Sequence, residues 1–169
     1  MINRYFYKSS LSDFVVDSIE TTFGKISRND EGDTVKEQKY AWSEEIEIMQ
    51  KVLLPWQGEN GDIIFEYAIP RLGKRIDVVV LLRGIVFVIE FKAGKQEYLQ
   101  SDMEQVMDYA LDLKNFHKFS QDKLIVPILV EPKYKSYTTN IQMSVYDDRV
   151  VNPLLTGENG IYDLITKIT

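Results

Sequence analysis

Apolar positions recur along the chain with two periods, and each period predicts its own kind of element. Over residues 34–54, Trp42, Ile46, Met49 and Leu53 return every three or four positions among lysines, glutamates and glutamines, which predicts a long amphipathic helix. Thr34 and Glu37 have the spacing of a capping box at its start, and Pro55 closes it. Leu11, Phe14, Val15, Ile19 and Phe23 have the same period behind Ser10 and Asp13, so a shorter helix is expected to stop at Gly24. The polar, turn-rich stretch 27–34 between them reads as an exposed loop. After the loop WQGENGD the pattern changes to runs rich in β-branched residues, predicting strands over 63–69, 76–82, 85–92 and 124–130. Between the last two of these, Ser101 and Glu104 open a helix whose apolar stripe is Val106, Ala110, Leu113 and Phe116. Residues 143–151 read as a further strand and 161–168 as a short terminal helix. The order is helix, three strands in a meander, helix and strand, with one extra helix in front. It predicts an α/β fold, a mixed sheet with helices on its faces.

One stretch is chemically out of place in this pattern. IDVVVLLRGIVFVIEFKAG, residues 76–94, is apolar enough to be buried, yet it carries Asp77, Glu90 and Lys92. Alternation along a strand puts Ile85, Phe87, Ile89 and Phe91 on one face and Val86, Val88, Glu90 and Lys92 on the other. A tight turn at Arg83-Gly84 would bring Asp77, at the start of one strand, beside the end of the next. Two carboxylates that close repel each other unless a cation joins them, and hard divalent cations with oxygen ligands, Mg2+ or Mn2+, suit such a pair. A plain ion pair of Lys92 with Glu90 or Asp77 at a sheet edge is the alternative reading. On the long helix, Glu45 flanks the buried stripe while Glu44 projects from the opposite face; Glu45 either reaches the acids or turns its head to solvent. Gln38 lies on a similar face two turns earlier. Gln105 and Tyr109, at i and i+4, share a face where they either orient the site or form an ordinary polar flank.

Composition narrows the chemistry. The 169 residues suffice for one domain with a real core and leave no room for a second of comparable size. Twenty Lys and Arg against 26 Asp and Glu give a formal charge of −6, so nucleic acid would not be held by bulk electrostatics. Local cations matter more: Arg71, Lys74, Arg75 and Lys95 flank the acids in the sequence and are candidate contacts for a phosphate backbone. The lack of cysteine excludes disulfides, thiolate nucleophiles and zinc fingers, and a single histidine, His117, excludes a multi-histidine metal site. His117, Lys114 and Lys118 read as cations at a helix end, and Tyr5, Phe6 and Tyr7 as packing under the first helix. There is no apolar signal-peptide core and no apolar run near the ~20 residues of a membrane helix, so no membrane contact and a cytoplasmic location are expected.

The ordered set Glu45, Asp77, Glu90-Phe91-Lys92 and Gln105-x-x-x-Tyr109, on helix, strand, strand and helix, resembles the PD-(D/E)XK nuclease superfamily. The Gln-x-x-x-Tyr element is similar to that of its RecB-like branch. The resemblance covers about residues 34–130 and departs from the usual motif in Ile76, where many members have proline. It implies a restriction-endonuclease-like αβββαβ core and metal-dependent hydrolysis of phosphodiester bonds, in DNA ahead of RNA. It further implies Asp77, Glu90 and the Phe91 carbonyl as ligands of Mg2+ or Mn2+, Lys92 acting on the attacking water, Glu45 as an accessory acid, and Gln105 and Tyr109 as orienting groups. The opening RYFYKSSLSDF, the AWSEEI helix and the IDVVV and VIEFKAG strands are similar to the N-terminal domain of bacterial nuclease-helicase proteins with a Schlafen-type helicase region, some of which act in anti-phage defence. That likeness implies a covalently linked helicase domain following this one. A noncatalytic nuclease-like module that binds nucleic acid or a partner protein is the alternative function, and nothing in the sequence speaks to oligomeric state.

Overall fold

The β-branched runs pair where their pattern predicts. The structure, a computed structural model, describes residues 4–30, 32, 35–69, 72–92, 99–147 and 149–169. Along the chain come β1 (Tyr7–Ser10), α1 (Leu11–Val16), α2 (Ile19–Asn29), α3 (Lys36–Leu53), β2 (Gly61–Ala68), β3 (Arg75–Leu82), β4 (Ile85–Phe91), α4 (Gln100–Phe116), β5 (Leu124–Val130), β6 (Leu154–Thr156) and α5 (Ile161–Ile168). Among the described residues the strands form one open, mixed sheet in chain order, β1 to β6. The pairs from β1 to β4 are antiparallel, and β4, β5 and β6 run parallel. A parallel step needs a crossover, which α4 supplies between β4 and β5. The β3–β4 hairpin closes on Arg83 (φ 51°) and Gly84 (φ 76°). Two positive φ values in succession make the turn whose twist suits adjoining antiparallel strands.

Helices cover both faces of the sheet. Toward α1, α3 and α5 the core contains Phe65, Val78, Val80, Phe87 and Ile89; toward α4 it contains Ile64, Val79, Val86 and Val88. The alternation read from β4 is therefore the one observed. Trp42, Ile46, Met49 and Leu53, the expected stripe of α3, are all fully buried. Each aliphatic side chain so buried contributes on the order of 2 kcal/mol, which anchors α3 across the sheet. No helix among the described residues is long and apolar enough to cross a membrane.

Some local expectations are overturned. The first predicted helix is two helices, because Ser18 Oγ accepts the Thr21 N–H at 3.1 Å and starts a second one. That second helix passes through Gly24 and runs to Asn29, taking the first residues of the expected loop; Ile26, fully buried, continues the apolar face beyond the glycine. The start of α4 also moves: the Leu99 N–H donates to Asp102 Oδ2 at 3.2 Å, so Asp102 closes the first turn and Ser101 lies inside the helix. The described residues of 143–151 form no continuous strand; their pairing is limited to single bridges, Met143 to Val151 and Ile125 to Val150. Ser144 Oγ accepts the N–H groups of Tyr146 and Asp147, folding that stretch into a turn, and the last strand is β6 instead. Thr34, expected to cap α3, lies outside the described residues. Two of the three N-terminal aromatics pack inward: Phe6 meets Trp42 edge-on at 6.1 Å and Tyr7 lies against Phe14 of α1, while Tyr5 stays exposed. Tyr7 also opens an edge strand that was not expected.

Candidate functional site

The register of β3 on β4, with Val78 opposite Ile89, places Asp77 across from Glu90. Their contacts cross over. The Asp77 N–H lies 3.5 Å from Glu90 Oε2, and the Phe91 N–H donates to Asp77 Oδ2 at 2.8 Å. The two acids expected to meet at the end of the hairpin are thereby held side by side.

Lys92 joins this pair to α4. Its Nζ donates to Gln105 Oε1 at 2.8 Å and lies 3.6 Å from Glu90 Oε1 and 3.9 Å from Asp102 Oδ1. Gln105 Nε2 in turn donates to the Tyr109 hydroxyl at 2.6 Å. Gln105 and Tyr109 thus hold the lysine instead of merely flanking the helix. The Lys92 backbone is fixed against β5 by its N–H bond to the Val130 carbonyl, 2.8 Å. The lysine side chain remains about one-fifth exposed, so a substrate can reach it.

From the other side of the sheet comes Glu45 of α3. Its side chain is buried, and Oε2 is shielded from solvent with no hydrogen-bond partner among the described residues. The expectation that Glu45 turns inward is met; Glu44, its neighbour, is exposed.

A fourth acid, Glu66, was not anticipated. Phe65 pairs with Val78 and Tyr67 with Ile76, and between them Glu66 takes a left-handed backbone at φ 55°. That one residue inverts the alternation of β2. Phe65 packs toward α3, yet Tyr67 and its partner Ile76 pack toward α4. The Glu66 side chain turns to α3, where Oε1 accepts the Trp42 indole N–H at 2.8 Å and the Gln38 amide at 3.4 Å. A strict period of two puts Glu66 on the α4 face; its only sequence signal is a glutamate inside the otherwise apolar run 63–69.

Burial raises the proton affinity of all four carboxylates, and charges within the cluster add to it for Glu45, Asp77 and Glu90. Burial lifts Glu45 well above the usual carboxylate range, reinforced by Glu66 and Glu90. Asp77 is lifted well above its range by burial and then by Glu90 and Glu45. Glu90 is pushed up to about 7 by burial, against the opposing pull of Lys92 and the Asp77 N–H. Burial also raises Glu66, against the Trp42 hydrogen bond. Tyr109 is pushed up to about 12 by burial and the Glu90 charge, which keeps it a neutral phenol.

The donor set consists of oxygens only, which suits Mg2+ or Mn2+, and the orphaned Glu45 Oε2 is an unfilled acceptor in the same site. Among the described residues no three acidic or histidine side chains enclose an ion by themselves. A cation here would have to keep water in its shell, as Mg2+ does.

The expected phosphate contacts divide. Lys74 is exposed and lines a groove beside the site with Leu72, Gln105 and Tyr109. Arg75 is engaged elsewhere: its guanidinium donates to the Glu66 carbonyl at 2.7 Å and lies over the Phe6 ring at 4.1 Å. Arg71 and Lys95 lie outside the described residues. Two cations the sequence reading did not single out, Lys133 and Lys135, are exposed on the loop after β5, beside the strand end that holds Lys92. His117 is remote in role, with Nδ1 2.8 Å from Ser120 Oγ and its ring edge-on to Tyr67. Lys114, expected at an exposed helix end, is buried, donating to the Lys123 carbonyl with Asp147 3.8 Å away.

Comparison with protein-family models, with curated proteins and with solved structures finds no match to this chain.

Proposed function

We propose that this chain is a metal-dependent nuclease with a restriction-endonuclease-like core made by α3, β2, β3, β4, α4 and β5. The observation that carries the reading is the meeting of Asp77, Glu90 and Lys92 at one sheet edge beside the orphaned Glu45. Asp77, Glu90 and the Phe91 carbonyl would hold Mg2+ or Mn2+, which supplies Lewis-acid polarisation of the scissile phosphate and a nucleophilic water at neutral pH. Lys92, aimed by Gln105, orients the attacking water and meets the negative charge that develops on the phosphate. Tyr109, neutral and already accepting from Gln105, keeps its own proton to donate to a phosphate oxygen. Glu45 serves as an accessory acid that accepts from water in the site. Lys74, Lys133 and Lys135 contact the substrate backbone, and with a net charge of −6 they are too few to bind it tightly. That weakness fits a domain whose substrate, DNA ahead of RNA, is delivered by a linked helicase, as in anti-phage nuclease-helicase proteins.

A second reading, a noncatalytic module that binds nucleic acid or a partner protein, is favoured by one observation: among the described residues the carboxylates do not by themselves enclose an ion. Cleavage separates the two. Circular single-stranded and duplex DNA, with an RNA control, are incubated with the protein in Mg2+ or Mn2+. Cutting that stops in EDTA and in Lys92→Ala supports the nuclease. Intact substrates throughout, in both metals, would favour the binding module.

A further inference from the structure

Glu66 carries two costs that folding alone does not explain. A non-glycine residue held at φ 55° inside a strand is strained by on the order of 1 kcal/mol or more, and such strain tends to gather at functional sites. Its carboxylate is also buried, 2% exposed, among three others. The Trp42 indole needs an acceptor, but a neutral amide oxygen would serve it equally well. Both hydrogen bonds to the side chain, from Trp42 and Gln38, land on Oε1; among the described residues Oε2 accepts none. Arg75 bonds the Glu66 backbone carbonyl, not the carboxylate. Glu66 is close enough to add its charge to the environment of Glu45, Asp77 and Glu90 alike. An independent feature points the same way: the buried Glu45 Oε2 in this cluster has no hydrogen-bond partner among the described residues.

We propose that Glu66 is a fourth acid of the cation site, its Oε2 and its charge serving the divalent ion or the ion's water shell while Trp42 and Gln38 hold Oε1. The inference rests on the metal-dependent reading above and adds to it an acid from β2 that the motif does not include. The inverted alternation at Glu66 is what carries this side chain to the α3 side, where Glu45 also lies. A regular β2 would have pointed it toward α4.

The test is a Mn2+ titration of the full chain followed by melting temperature, for wild type, Glu66→Gln and Gln38→Ala. Glu66→Gln keeps an oxygen for Trp42 and removes only the charge. Without metal it is expected to melt no lower than wild type. Its half-saturating Mn2+ concentration is expected to rise roughly tenfold, while Gln38→Ala stays within about twofold of wild type. Wild-type Mn2+ affinity in Glu66→Gln would overturn the proposal. So would a Glu66→Gln that fails to fold, because the charge would then serve the fold itself. A wild type that shows no metal-dependent shift would sink the metal reading as a whole, an outcome distinct from a loss confined to Glu66→Gln.

Discussion

Lys92 donates to Gln105 at 2.8 Å but stays 3.6 Å from Glu90, so its tighter partner is neutral and its charge remains available. Replacing it with alanine is expected to slow single-turnover cleavage ~10²-fold or more, and Gln105→Ala, which only loosens the lysine, to cost less. Equal losses in both variants would contradict that division. The same cluster sets a pH dependence. Folding raises the Glu90 carboxyl from 4.5 to about 7, so the folded chain binds this proton more tightly than the unfolded chain does. The resulting stability is fully present below 4.5 and is lost as the pH rises through about 7. In EDTA, wild type should therefore lose more melting temperature than Glu90→Gln between about pH 5 and pH 8. Parallel profiles would contradict this. At this scale Asp77, Glu90 and Lys92 were legible because alternation along β4 and the register set by a two-residue turn determine which side chains meet. Glu66 was not, since no residue pattern announces a left-handed glutamate in a strand.

At the scale of elements, legibility followed length and regularity. The long α3 and the four apolar strands appear within a residue or two of their periodic patterns, since many side chains vote for one face. The four-residue β1 and three-residue β6 owe their form to the sheet edges they pair with, and such context is not visible locally. The N-terminal helix was misread because a capping serine interrupts a continuous apolar period. Ser18→Ala should accordingly cost ~1 kcal/mol in urea unfolding, with Ser12→Ala costing little. Ile46→Ala, which empties a fully buried position of α3, should cost ~2–5 kcal/mol and leave the unfolding cooperative. A Ser18→Ala as stable as wild type would mean that α1 and α2 do not depend on that cap.

For the whole molecule, sheet order decides where chemistry can gather. Parallel β4 and β5 end at one edge, and antiparallel β3 begins there, so Asp77, Glu90, Lys92 and the loop bearing Lys133 and Lys135 share it. The acids at this edge were readable from the sequence. The two loop lysines were not, because only the fold brings residues forty positions apart onto one rim. If they contact phosphates, replacing both with alanine should weaken DNA binding and reduce the slope of log affinity against log salt by roughly 2. An unchanged slope would move the substrate path elsewhere. All of this depends on the carboxylates being joined by a divalent ion. Calorimetric titration of Mn2+ into wild type and Asp77→Ala measures that directly: the account predicts saturable binding in wild type that is lost in Asp77→Ala, and it is contradicted by a wild type that binds no Mn2+ or by an Asp77→Ala that binds it as well.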